Sequence, residues 1–64
     1  MLRDSRDILR RLTADGWVVV RIRRSHHQLR DPATGRMVTL PHPRKDLPTG
    51  TVRSIYRQAG WAYD

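Results

Sequence analysis

Three histidines carry the proton-transfer chemistry open to this chain: the adjacent His26 and His27, and His42 between two prolines. An imidazole exchanges a proton near neutral pH, so it can act as general acid or base with no metal or cofactor. Around them stand 13 Lys and Arg against 6 Asp and Glu, a formal net charge of +7 on 64 residues. So strong an imbalance attracts a polyanion at long range, and nucleic acid is the leading partner. Every basic residue except Lys45 is Arg, whose planar fork donates two parallel hydrogen bonds to a phosphate. Arg21, Arg23, Arg24 and Arg30 surround the histidine pair, while Arg44 and Lys45 follow His42. Such a set could support acid-base chemistry on a bound phosphate ester, with an imidazole moving a proton while cations stabilise the charge that develops there.

Other chemistries fit less well. With no Cys there is no disulfide staple and no thiolate metal site, and a reducing cytoplasm suits the composition. His26 and His27 diverge on a strand, and no Glu completes a ligand set, so no metal is expected. Ser25 precedes His26, but no third group is identifiable for a serine nucleophile. No apolar run approaches the roughly 20 residues that span a bilayer, and the charged stretch from Met1 to Arg11 lacks a signal peptide's apolar block. Neither membrane insertion nor secretion is expected.

These residues must be positioned by few elements, because a chain of this length predicts one domain over residues 1–64 with a modest core. Ile8, Leu9 and Leu12 lie at helical spacing between Asp4 and Asp15, with Asp4 or Ser5 placed to cap and Gly16 to stop the helix. Trp17 to Arg24 is rich in β-branched residues and predicts a strand, with Val18, Val20 and Ile22 as its core face and Arg21 and Arg23 on the other. His26 to Arg30 predicts a second strand, the Asp31 to Gly35 segment a turn, and Arg36 to Leu40 a third strand. Such short connections require an antiparallel meander. Three prolines make Pro41 to Pro48 a stiff loop. Val52, Ile55, Tyr56 and Ala59 then predict a second helix, with Thr49 or Thr51 as cap and Gly60 as stop. The aromatics of the tail from Trp61 to Asp64 either pack back or fray. The expected architecture is α+β: helix, three-stranded antiparallel sheet, helix, with both helices on one sheet face.

Strand parity then separates the adjacent histidines. If Leu29 faces the helices, His27 shares that face, and His26 lies on the open one with Gln28 and Arg30. Arg21 and Arg23 are assigned to the same open face. His27 keeps a direct role only if a bulge shifts the register. His42 is read as a loop contact that positions the second helix, or as an RNA contact.

The segments Asp15-Gly-Trp-Val, Ser25-His-His, Val38-Thr-Leu-Pro-His-Pro-Arg-Lys-Asp-Leu-Pro-Thr-Gly-Thr-Val-Arg-Ser-Ile55 and Gln58-Ala-Gly60 together resemble the HicA family of toxin mRNA interferases. The match runs through nearly the whole chain in order and spacing. A Gly-Trp or Ser-His pair alone is weak; the Pro-His-Pro-x-Lys-x-Leu-Pro-x-Gly-Thr block adds many independent positions. The resemblance implies a fold like the double-stranded-RNA-binding domain, cleavage of mRNA, arrest of translation and growth, and neutralisation by a HicB-type antitoxin encoded beside it. It also implies that His26 occupies the catalytic position. One position departs from the pattern: the family motif is usually Gly-Ser-His, and Arg24 stands where the Gly is expected. A glycine there would permit an unusual backbone or a close approach of RNA.

Two rival readings belong to other classes. A non-catalytic RNA-binding module would use backbone and 2′-OH contacts alone and retain RNA without cutting it. A protein-binding domain would set its basic surface against an acidic partner and show little affinity for RNA.

Overall fold

The computed structural model describes residues 1–63 in the order α1 (Ser5–Ala14), β1 (Val18–Arg23), β2 (His26–Arg30), β3 (Met37–Pro41) and α2 (Thr49–Ala59). The strands form one antiparallel sheet in the order β1-β2-β3, so the expected α+β meander is the one observed. Asp64, the last residue of the tail considered above, lies outside the described residues.

Both helices start and stop for identifiable reasons. The Asp4 carboxylate accepts from the Arg6 N–H and caps α1, while Asp7 places negative charge in its first turn. The expected cap of α2 is absent: Pro48 precedes the helix, no side chain caps it, and the Thr49 hydroxyl accepts instead from Arg3 at 3.0 Å. Gly60, at φ 76°, ends α2 in the left-handed conformation. Between β2 and β3, Asp31 holds the turn by accepting from the Ala33 N–H and the Thr34 hydroxyl, both at 3.0 Å. The third strand reaches Pro41 instead of ending at Leu40, and Pro41 is tolerated because β3 is an edge strand.

The core lies between the helices and one face of the sheet. Ile8 and Leu12 of α1, Val52, Ile55 and Tyr56 of α2, and Leu29, Val38 and Leu40 of the sheet are buried together with Trp17 and Leu47. Each such side chain contributes about 1.5–3 kcal/mol on leaving water. Trp61 packs back on this core: its ring meets Tyr56 edge-on, its indole N–H donates to Asp15 at 3.0 Å, and the Arg11 guanidinium lies 4.1 Å above it.

The core face expected for β1 is not the one observed. Val18, Val20 and Ile22 are 50%, 53% and 60% exposed, whereas Trp17 is buried and Val19 is packed against the core. A β-bulge at Val20 explains the reversal. Val19 pairs with Leu29, but Arg21 pairs with Gln28, so one extra residue enters β1 and the alternation changes phase. Ile22 thereby returns to the side of His27, yet stays exposed because the helices pack over β3 and leave the β1 edge uncovered.

Candidate functional site

The uninterrupted register of β2 sets the histidines. Leu29 is fully buried against the helices, so alternation sends His27 to the same side and His26 to the open face. His26 is exposed and pairs across the sheet with Arg23 on one side and Pro41 on the other. Cross-strand partners point to the same face, so the His26 imidazole and the Arg23 guanidinium share open solvent. Arg21, opposite Gln28, lies two residues further along the same face, roughly 7 Å away by strand rise. The bulge makes this possible, since without it Arg21 and Arg23 would share the face of Trp17 and Val19. Among the described residues no hydrogen bond holds the His26 ring.

Arg24 and Ser25 form the two-residue connection between β1 and β2. Arg24 is the one non-glycine residue with positive φ among those described, at 56°. A side chain in this region brings its Cβ close to the backbone at a cost of roughly 1–2 kcal/mol, and tight hairpins favour Gly here. The chain therefore keeps the backbone a glycine would adopt while carrying an added cation next to His26.

The remaining candidates divide into two groups. His27 and His42 meet behind the sheet, their rings edge to face at a centroid distance of 4.9 Å. The His27 Nδ1 is buried with no hydrogen-bond partner. Burial, and secondarily the neighbouring His42, lowers the pKa of His27 below its ordinary 6.5 and keeps the ring neutral near pH 7. His42 is held by the buried Ser5, whose hydroxyl lies 2.7 Å from its Nδ1, and its own N–H donates to the Ser25 carbonyl at 2.7 Å. The second and third histidines are thus drawn away from His26, and His42 ties its loop both to α1 and to the turn that carries the catalytic candidate.

Arg44 and Lys45 sit beyond His42 and line a cleft with Asp4, Arg6 and Pro43. Arg30, four residues along β2 from His26 and opposite Val18 and Met37, stands at the other end of the strand, roughly 13 Å away. Of the expected basic set, Arg21 and Arg23 share the His26 face by register and Arg24 lies in the adjoining turn, whereas Arg30 stands at the far end of β2 and Arg44 and Lys45 in the loop after His42. Sequence reasoning missed Ser5 and Arg6. Ser5 read only as a possible cap, and nothing in its neighbours signals that it becomes a buried junction between α1, His42 and Arg44.

No helix among the described residues is long and apolar enough to cross a membrane. A search of curated proteins gives no match to the chain. Comparison with protein families matches residues 5–61 to the family described as HicA toxin of bacterial toxin-antitoxin. That span contains all five elements, the Arg24-Ser25-His26 turn and the Pro41 to Pro48 loop, and the chain belongs to the HicA family of bacterial toxins.

Proposed function

We propose that the chain arrests growth by cutting mRNA, with His26 as the catalytic base and Arg21 and Arg23 as the phosphate-holding cations. The observation that carries this reading is the pairing of an exposed imidazole with Arg23 on a sheet face covered by neither helix. The His26 ring takes the proton from a 2′-OH, and that oxygen attacks the adjacent phosphorus. The bond to the 5′-oxygen breaks, leaving a 2′,3′-cyclic phosphate, and the departing oxygen takes a proton from the imidazolium or from water. Arg23 and Arg21 stabilise the negative charge that builds on the phosphate oxygens during attack. Arg24 adds positive charge at the turn. No metal or cofactor enters these steps.

Membership in a toxin family implies a neutralising partner, and a HicB-type antitoxin that covers the open sheet face would block His26 and the arginines together. Binding only the folded toxin, it would also raise the melting temperature by mass action. Induced expression in bacteria, with growth and RNA integrity followed over time, tests the reading. The expected result is arrest accompanied by fragmented mRNA, both abolished by His26→Ala and by co-expressed antitoxin. Arrest with intact RNA would reject cleavage and return the chain to the non-catalytic RNA-binding class.

A further inference from the structure

The cleft lined by Asp4, Arg6, Pro43, Arg44 and Lys45 encloses about 290 Å³, at the small end of ligand pockets. Asp4 and Arg6 form a 3.1 Å ion pair and the charge of Lys45 also acts on the Asp4 carboxylate, so one carboxylate meets three cations, Arg6, Arg44 and Lys45, and the cleft stays net positive. The first backbone amides of α1 add nothing: the Ser5 N–H donates to the Arg44 carbonyl and the Arg6 N–H to Asp4. Any anion drawn here is drawn by side chains.

The cleft is held in shape. Arg44 is fixed by a reciprocal pair of bonds, its N–H donating to the buried Ser5 hydroxyl and its carbonyl accepting from the Ser5 N–H, both at 2.8 Å. Leu47, fully buried two residues after Lys45, anchors the loop in the core and donates to the Arg3 carbonyl at 2.9 Å. Two hydrogen bonds then connect this cleft to the His26 turn: Ser5 to His42, and the His42 N–H to the Ser25 carbonyl. A cationic recess with a fixed backbone therefore stands at the end of the sheet that bears His26, joined to it through the loop.

We infer that this cleft binds a phosphodiester of the RNA strand outside the nucleotide being cut, so that the strand is gripped at two separate places. The inference rests on the RNA reading of His26 and its arginines, and adds a subsite remote from the open face. The Pro43 ring and the aliphatic stems of Arg44 and Lys45 give the recess an apolar wall beside its charges, which suits a sugar next to its phosphate.

The test uses the full chain and a hexanucleotide of 2′-O-methyl RNA, which has no free 2′-OH and cannot be cut. Amide chemical shifts are followed during titration, and affinity is measured at several salt concentrations. The amides of residues 44–46 are expected to shift saturably with those of residues 21–28. The double variant Arg44→Ala/Lys45→Ala should bind on the order of tenfold more weakly, with a salt slope smaller by about 0.7, the share of one phosphate on a single strand. A matched double variant, Arg53→Ala/Arg57→Ala on α2, lowers net charge equally and should bind close to wild type. Thermal melts confirm that both variants fold. If residues 21–28 shift while 44–46 stay silent, or if the two double variants weaken binding equally, the cleft is no subsite, although the RNA reading stands. If the oligonucleotide shifts nothing, both fall together.

Discussion

His26 and His27 are one peptide bond apart and meet opposite environments. His26 faces water beside Arg23, with no hydrogen bond to its ring among the described residues, whereas His27 packs on His42 behind the sheet with a buried, unpartnered Nδ1. The first is free to meet a substrate and pays for nothing in the fold; the second is part of the packing, and burial keeps it neutral. Residue type alone does not mark a catalytic group. The strand's alternation, fixed by where Leu29 is buried, divides one pair of identical side chains into a candidate for chemistry and a structural wedge.

The sharpest way to break this division is to remove what fixes it. Leu29→Ala should destabilise the chain by about 2–5 kcal/mol, the range for a large-to-small change in a core, with loss of a cooperative melt as the expected outcome. Ile22, although apolar and one strand away, should tolerate Thr within about 0.5 kcal/mol because it is 60% exposed. Equal losses in both variants would contradict the placement of β1. At the turn between the two strands, Arg24→Gly should stabilise by about 1 kcal/mol through relief of the positive φ, read as a rise in Tm of roughly 4–8 °C. A fall in Tm would mean that the Arg24 side chain makes contacts worth more than its backbone strain.

A smaller effect separates the histidines by pH. The pKa of His27 is lowered in the folded chain, so the unfolded chain binds the extra proton more readily. The stability linked to this ring is fully present above its ordinary pKa of 6.5 and is lost as pH falls below it toward the folded value. Tm should therefore decline between pH 7.5 and 5.5, and His27→Gln should flatten that decline. Asp4, whose pKa is lowered by its bonds to Arg6, loses its contribution only below about its ordinary 3.8, outside the range from pH 7.5 to 5.5. An unchanged pH slope in His27→Gln would place the titrating group elsewhere.

Much of this arrangement was legible in the sequence, and the failures have physical causes. The five elements follow from periodicity and turn chemistry, and β2 obeys strict alternation, so the opposite placement of His26 and His27 could be read directly. On β1 alternation misled: Arg21 and Arg23 mark the odd positions as the polar face, and nothing in Val18-Val19-Val20 marks the residue that bulges and puts Val19 on the core side all the same. The assignment of Arg21 and Arg23 to the open face agrees with the structure only because that bulge separates them from Trp17 and Val19. The missing side-chain cap of α2 reflects the loop's tether, since Thr49 is engaged by Arg3. Ser5 and Arg6 stayed hidden because their roles depend on the contact between the α1 terminus and a loop about 40 positions away, which local pattern cannot reveal.

The central claim is that His26 performs proton transfer and His27 does not. The direct measurement is the rate of cleavage of one synthetic RNA, at a single salt concentration, by the wild-type chain, His26→Ala and His27→Ala, with each rate normalised to the folded fraction from thermal melting. His26→Ala should cut more slowly by on the order of 10²- to 10⁴-fold while melting within a few degrees of wild type and still binding RNA. His27→Ala should lose stability yet keep most of its activity per folded molecule. A near wild-type rate for His26→Ala, or inactivity confined to folded His27→Ala, would contradict the account.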